Sequence, residues 1–335
     1  MKITFIKYQD NIIKTFNAYK KKYDKIFIIT DDNIINHYPF IKKLSDFILL
    51  CKNGESCKSI LEYEKAILFL HKNDCNKQSV IIAIGGGTIT DFAGFLSSTY
   101  MRGISYISIP TTLLGMVDAS IGGKNALNFS NRRNLIGTFK NPEEVVIELN
   151  FLKTLDKEEL VNGFAEIIKY SLIMDIELFK YLEKNIDKTF PIINAKIIKP
   201  IIKKCIKNKL DIVNKDYNDT NIRNILNFGH TVGHALESYY HFQLSHGKAV
   251  IYGMIISTYL SNLNKEQYKK INSLFKIFKL PNLKPLNKHK VMKYINMDKK
   301  NIASELNYIV LKKIGSAKIE KNFNKQLIEN SLDIL

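Results

Sequence analysis

Apolar residues in the first 150 positions fall into short runs separated by longer stretches of helical spacing. Lys2–Lys7, Lys25–Thr30, Phe47–Cys51, Val80–Ile84 and Ser105–Ile109 have the length and β-branched content of buried strands. Between them, Ser59–His71 and Phe92–Tyr100 repeat apolar residues at helical intervals. Strands alternating with helices of this size predict a parallel sheet, whose ligands bind beyond the carboxyl ends of the strands. After about Leu155 the strand-like runs stop, and helical periodicity holds from Lys157 to about Phe278. Pro281–Asn287 is a loop, Leu306–Leu311 is strand-like and Gln326–Leu335 ends the chain as a helix. The expected class is therefore α/β. An N-terminal Rossmann-like α/β domain with a mostly parallel sheet (residues 1–154) precedes a mainly α-helical C-terminal domain (residues 155–335).

The densest chemistry lies in Ile225–Gly247, which holds His230, His234, His241 and His246 out of seven histidines in the chain. His230 and His234 stand four apart in a segment whose apolar residues (Ile225, Phe228, Val232, Ala235, Leu236) keep helical spacing, which predicts two imidazoles on one helix face. His246 precedes Gly247, where a loop would bring it to the same place. Zinc takes small sets of imidazole and carboxylate ligands and leaves one position open for catalysis. An H-x-x-x-H pair without the intervening glutamate of H-E-x-x-H is more often structural, so support from elsewhere decides. Glu166 and Lys169 are helical neighbours flanked by apolar Phe164, Ala165, Ile167 and Ile168, which marks a carboxylate in unusual surroundings.

Anion-binding features sit in the first half. The strand Val80–Ile84 runs into Gly85-Gly86-Gly87 and then a helix, so backbone amides at the helix start face outward without side chains in the way. The pattern is not G-x-G-x-x-G. Thr111 and Thr112 follow the next strand, and Gly122-Gly123-Lys124 and Arg132-Arg133-Asn134 read as turns rich in amides and cations.

Composition narrows the class. With 45% apolar residues and no long uninterrupted apolar stretch, the chain reads as globular with no membrane-spanning helix, and its start lacks a signal-peptide core. Cys51, Cys57, Cys75 and Cys205 form no C-x-x-C pair, which points to reduced thiols and a cytoplasmic location. The net charge is +18, from 50 Lys and Arg against 32 Asp and Glu. The lysines are scattered, however, and the most basic run, Lys196–Lys209, alternates with Ile as an amphipathic helix with a solvated face. Nucleic acid and membrane are accordingly not expected partners, whereas a phosphorylated substrate suits the charge.

Taken together and in order, GGGTITDFAGF, PTTLLGMVDASIGGK, GFAEIIKY, LNFGHTVGHALE and SHGKAV closely resemble the 3-dehydroquinate synthase family of sugar phosphate cyclases, over about Thr30 to Lys300. The resemblance implies zinc (cobalt being the alternative) held by Glu166, His230 and His246, which replaces the pairing by spacing and leaves His234 for proton transfer beside the metal. It implies NAD as cofactor. The matching positions are Asp31 and Asn33, Glu55 and Lys58, and Gly86, Gly87 and Asp91. Thr111, Thr112, Asp118 and the span from Phe151 to Thr154 complete them. Lys124, Lys169, Lys209, Arg223, Asn227 and Lys299 match the substrate pocket. Arg102 matches a residue that reaches the phosphate from the neighbouring subunit, so a homodimer is implied.

The implied reaction converts 3-deoxy-D-arabino-heptulosonate 7-phosphate to 3-dehydroquinate and phosphate, making the chain a carbon–oxygen lyase of the shikimate route to aromatic amino acids. It proceeds by transient NAD-dependent oxidation, phosphate elimination, reduction and intramolecular aldol closure. Two positions depart from the family pattern. Arg132-Arg133-Asn134 stands for Gly-Lys-Asn, so Arg133 replaces a lysine before Asn134 and is expected to bind the substrate or cofactor phosphate as a planar fork. Lys248 replaces an acid two residues after His246. Another cyclase, a metal-dependent NAD alcohol dehydrogenase and a basic nucleic-acid binder are the competing readings.

Overall fold

The structure, a computed structural model, describes residues 1–6, 9–130, 132–188, 190, 193–283, 285–298 and 306–335. It comprises two compact units, Met1–Leu155 and Asp156–Leu335.

In the first unit the chain runs through β1 (Lys2–Ile6), α1 (Gln9–Lys22), β2 (Ile26–Asp31), α2 (Asp32–His37), β3 (Phe47–Cys51), α3 (Ile60–Lys72), β4 (Val80–Gly85), α4 (Gly87–Thr99) and β5 (Ser105–Pro110). The hairpin β6 (Lys124–Phe129) and β7 (Arg132–Phe139) and the strand β8 (Glu144–Glu148) complete it. Six strands form one parallel sheet in the order β1-β8-β5-β4-β2-β3. β2, β4 and β8 are buried along their whole length, as their unbroken apolar runs require when helices cover both faces. After β2 the chain moves outward to β3, and after β4 it moves the other way to β5. The sheet therefore switches direction between β2 and β4, where Asp31 and Gly85 end their strands.

Two features differ from the expectation. Lys124 and Arg132–Asn134 lie on a separate antiparallel hairpin rather than in turns, because polar residues alternate along it and hide its strand character. β8 was hidden too, since only three apolar residues stand between Glu144 and Glu148. Glu144 is satisfied inside, accepting from Tyr19 Oη at 2.9 Å and from Thr4.

The second unit contains α5 (Lys157–Ile173), α6 (Ile176–Asn185), α7 (Ala195–Val213), α8 (His230–Tyr239), α9 (His246–Tyr259), α10 (Lys265–Lys276), α11 (Lys288–Asp298), the antiparallel pair β9 (Tyr308–Lys313) and β10 (Ser316–Glu320), and α12 (Lys325–Ser331). Every residue of α5 from Leu160 to Ile173 is buried, so this helix is the axis of the unit. The helix expected from Ile225 onward is in fact broken. Residues 222–227 form a 3-10 turn, Gly229 takes a left-handed φ of 78°, and α8 starts at His230. A side chain at Gly229 would meet Met254 Cγ at 2.5 Å and Val250 O at 2.9 Å, so the glycine both turns the chain and lets α9 press against it. β10, which pairs with β9, and the end of α12 at Ser331 also depart from the sequence reading of the tail.

Candidate active site

Glu166 projects from the middle of α5, where it is 1% exposed. His230 opens α8, and His246 opens α9 rather than sitting in a loop. Their Nε2 atoms face the same Glu166 Oε1, at 3.4 Å and 3.6 Å. Among the described residues neither Glu166 oxygen has a conventional hydrogen bond; Lys169, one turn along α5, forms an ion pair with the other oxygen. His230 Nδ1 lies 3.1 Å from the carbonyl of Phe228, the arrangement in which Nδ1–H donates and Nε2 turns its lone pair inward. One carboxylate and two imidazoles with converging donor atoms, all within 4.8 Å of one another, fit a divalent ion with open coordination positions.

The electrostatics agree with that geometry. Burial pushes the Glu166 carboxyl up, but the Lys169 ammonium and the two imidazoles outweigh it and hold the group well below the usual carboxylate range. Burial and the nearby Lys169 charge lower His230, against the attraction of Glu166. Burial would lower His246 as well, yet its contacts with Glu166 and Glu237 push it up to about 10.

His234 stands one turn beyond His230, with ring centroids 5.2 Å apart, and 6.3 Å from His246. The sequence named His234 but missed Glu237, three residues further along the same face, whose Oε1 is 3.5 Å from His246 Nδ1. His241 is exposed in the connection between α8 and α9. That connection folds back sharply: His241 and Phe242 both have positive φ, and Phe242 N donates to Glu237 O at 2.7 Å. Gly247, whose missing side chain would lie 2.6 Å from Asn162 Cα, lets α9 start against α5, and its amide donates to Asn162 Oδ1.

Three cations of the same unit are also buried: Lys169 at 2%, Lys209 at 6% and Arg223 at 3% exposure. The run Lys196–Lys209 is amphipathic as expected, and Lys209 lies on its buried face, the one that carries Ile202, Cys205 and Ile206. Arg223 is held by Asp216, whose carboxylate accepts from the backbone amides of Thr220, Asn221 and Arg223, while Arg223 Nη1 donates to Tyr217 O at 2.6 Å. Asn227 is half-buried at the end of the same turn. Lys299 lies outside the described residues.

In the first unit Gly86 is the N-cap of α4, and no side chain caps the first amides of the helix. A Cβ at Gly86 would lie 3.1 Å from Thr112 Cγ2, so the glycine keeps the approach to those amides clear. Thr111 Oγ1 is buried there without a hydrogen-bond partner among the described residues. An anionic nucleotide fits these groups. Thr112 Oγ1 accepts from Gly115 N, and Asp118 follows half-buried in that turn.

Lys58 connects Asp91 to Asn134, and Asn134 N donates to Asn128 Oδ1, while Asn128 Nδ2 donates to Glu55. The structure thus joins Glu55, Lys58, Asp91 and Asn134 through Asn128, which the sequence did not single out. Asp31 caps α2 by accepting from Ile34 N, with Asn33 exposed beside it. Phe151 is buried against Tyr38, and Thr154 Oγ1 is 2.8 Å from Tyr38 Oη. Lys124 and Arg133 are exposed on the hairpin. Arg102 is exposed in a turn where Met101, Arg102 and Gly103 all have positive φ.

The class that emerges is an enzyme with a metal-type donor set in a helical unit and an anion-type helix terminus on a parallel sheet. The 3-dehydroquinate synthase N-terminal family model matches residues 48–162 and the C-terminal one residues 163–301. The 3-dehydroquinate synthase of Clostridium tetani is 38% identical over 97% of this chain and 89% of its own length. The chain belongs to the 3-dehydroquinate synthase family.

Two solved structures share the fold. A 2-epi-5-epi-valiolone synthase from Streptomyces hygroscopicus, with NAD+ and Zn2+ bound, superposes with a TM-score of 0.87 at 24% identity, over 100% of this chain and 96% of that one. A 2-deoxy-scyllo-inosose synthase, complexed with carbaglucose-6-phosphate, NAD+ and Co2+, gives 0.86 at 23% identity, over 98% and 95%.

Proposed function

We propose that the chain converts 3-deoxy-D-arabino-heptulosonate 7-phosphate to 3-dehydroquinate and phosphate, with NAD and a divalent ion, zinc or cobalt, as cofactors. The observation that carries this is the convergence of Glu166, His230 and His246 in a chain of this family. When bound, NAD would accept and return a hydride and the ion would act as a Lewis acid on the reacting oxygen. Glu166, His230 and His246 hold the ion, and Lys169 keeps Glu166 ionised. His234, beside the donor set, is assigned to proton transfer. Buried Lys169, Lys209 and Arg223, with Asn227, Lys124 and Lys299, bind the carboxylate, hydroxyls and phosphate of the substrate.

On the first unit, Gly86, Gly87, Thr111 and Thr112 receive the nucleotide phosphates, and Asp31, Asn33, Asp118 and the span from Phe151 to Thr154 its remaining groups. Glu55, Lys58, Asp91 and Asn134 fix the hairpin that carries Arg133, which contacts phosphate. Arg102 serves the site of a second copy, so the working species is a homodimer. No helix among the described residues is long and apolar enough to cross a membrane, and the four cysteines are free, which suits a cytoplasmic enzyme.

Phosphate release from the heptulosonate phosphate, with and without NAD, tests the proposal. Release that needs only catalytic NAD supports it. Accumulation of NADH in step with product would instead identify a dehydrogenase.

A further inference from the structure

The two imidazoles that face Glu166 are held from behind by different kinds of acceptor. His230 uses the backbone carbonyl of Phe228, which the fold of the 222–229 segment supplies whatever the side chains are. His246 has Glu237 behind it instead, with Oε1 3.5 Å from Nδ1 while Nε2 faces Glu166. We propose that Glu237 is the positioning residue of His246, accepting from Nδ1–H so that Nε2 presents its lone pair to the bound ion. The inference rests on the reading of Glu166, His230 and His246 as metal ligands.

Three observations carry it. The Glu237 side chain is only 6% exposed, so its carboxylate is not a solvated surface group. It lies on the helical stripe of His230 and His234, and the left-handed pair His241 and Phe242 folds the chain so that the first residue of α9 meets it. Lys248, which stands where an acid was expected, pairs with Glu158 at 2.8 Å. Position 248 therefore does not support the ligand, and Glu237 does. His234, Glu237 and His246 also have the spacing of a second donor set. Glu237, however, engages the His246 nitrogen opposite the one that faces Glu166, as an orienting acceptor does.

The test is zinc affinity and stoichiometry of the purified full-length protein, by competition with a chromophoric chelator, alongside the visible spectrum of the cobalt-substituted form. The parent is expected to bind one zinc per chain. Glu237→Ala should weaken zinc by about 10- to 100-fold and alter the cobalt bands. Glu237→Asp keeps the charge but withdraws the oxygen by one methylene; it should fold if Glu237→Ala does not, and should lose about tenfold. Glu237→Gln retains an acceptor oxygen and should recover most of the affinity, and Lys248→Glu should leave it within about twofold, since that position does not address the ligand.

Zinc affinity unchanged in both Glu237→Asp and Glu237→Ala, with His246→Ala still losing the ion, would overturn the proposal and leave the metal reading intact. Unchanged zinc binding in His246→Ala, or no binding by the parent, would remove the metal reading itself. Two zinc ions per chain, one of them lost in Glu237→Ala, would make Glu237 a ligand and also overturn the proposal.

Discussion

The two units prepare for their ligands in opposite ways. Around α4 the first presents backbone amides at a glycine cap, with its charged groups largely tied to one another, as Lys58 is to Asp91 and Asn134. The second presents side chains, and buries them: Glu166, Lys169, Lys209 and Arg223 are all 6% exposed or less. A helix terminus offers fixed partial charges at little desolvation cost, which suits a ligand used again on every turnover. Buried side-chain charges are costly to desolvate unless paired, so they persist where a bound ion or anionic substrate completes them. The comparison teaches that substitutions in the second unit should abolish binding or chemistry, whereas those in the first should grade it.

The largest effect belongs to the donor set. His230→Ala should remove the metal and lower kcat/KM by at least about a thousandfold, roughly 4 kcal/mol; retained zinc at normal turnover would break the contrast between the units. In the first unit, Gly86→Val should fill the approach to the α4 amides and raise KM for NAD by about 10- to 100-fold, with zinc content unchanged. A loss of zinc there would mean that the two preparations are not separable.

A smaller effect is expected on the hairpin. Arg133→Ala should lower kcat/KM about tenfold, near 1.4 kcal/mol, with Arg133→Lys recovering much of it and Arg132→Ala within about threefold of the parent. Equal, small effects of Arg132→Ala and Arg133→Ala would make both residues ordinary surface charges.

The smallest effects are on stability, and both rise with pH, one in the acid range and one in the alkaline. Three backbone amides and the Thr220 hydroxyl hold Asp216 at about 2 against an ordinary value of 3.8, despite the opposing effect of desolvation. Its contribution is therefore present above pH 3.8 and lost as pH falls through 2. The Tm difference between the parent and Asp216→Asn should shrink over that interval. Lys140, whose ammonium donates to Ser97 O and Ile104 O, is lowered by burial to about 8 from 10.5. The unfolded chain binds more protons between those values, so the parent should gain stability relative to Lys140→Met as pH rises from 8 to 10.5. A pH-independent difference in either pair would show that the group does not titrate on unfolding.

How much was legible beforehand depended on whether a residue's neighbours were near it in the chain. The strands β2, β4 and β5, the glycine cap of α4 and the α5 pair Glu166–Lys169 are local patterns, and the alternation of strands and helices implied the parallel sheet. The broken helix at Gly229 was not legible from apolar spacing, because the reason for the break is the approach of α9 some twenty positions later. The hairpin under Arg133 escaped for a related reason, since alternating polar residues look like loop until their antiparallel partner is known.

By itself the sequence determined which residue types are available and in what order: one carboxylate, the histidines, scattered cations and the glycines at the strand ends, enough to imply a family and its chemistry. Only the tertiary structure decided which of them converge. Asn128 joins Glu55 to Asn134, Lys209 faces inward on α7, and Glu237 stands behind His246. Periodicity reports the apolar face of an element because burial repeats along it. A polar contact between elements carries no such repeat, since it depends on where two backbones meet, and that is set by the packing of the whole unit.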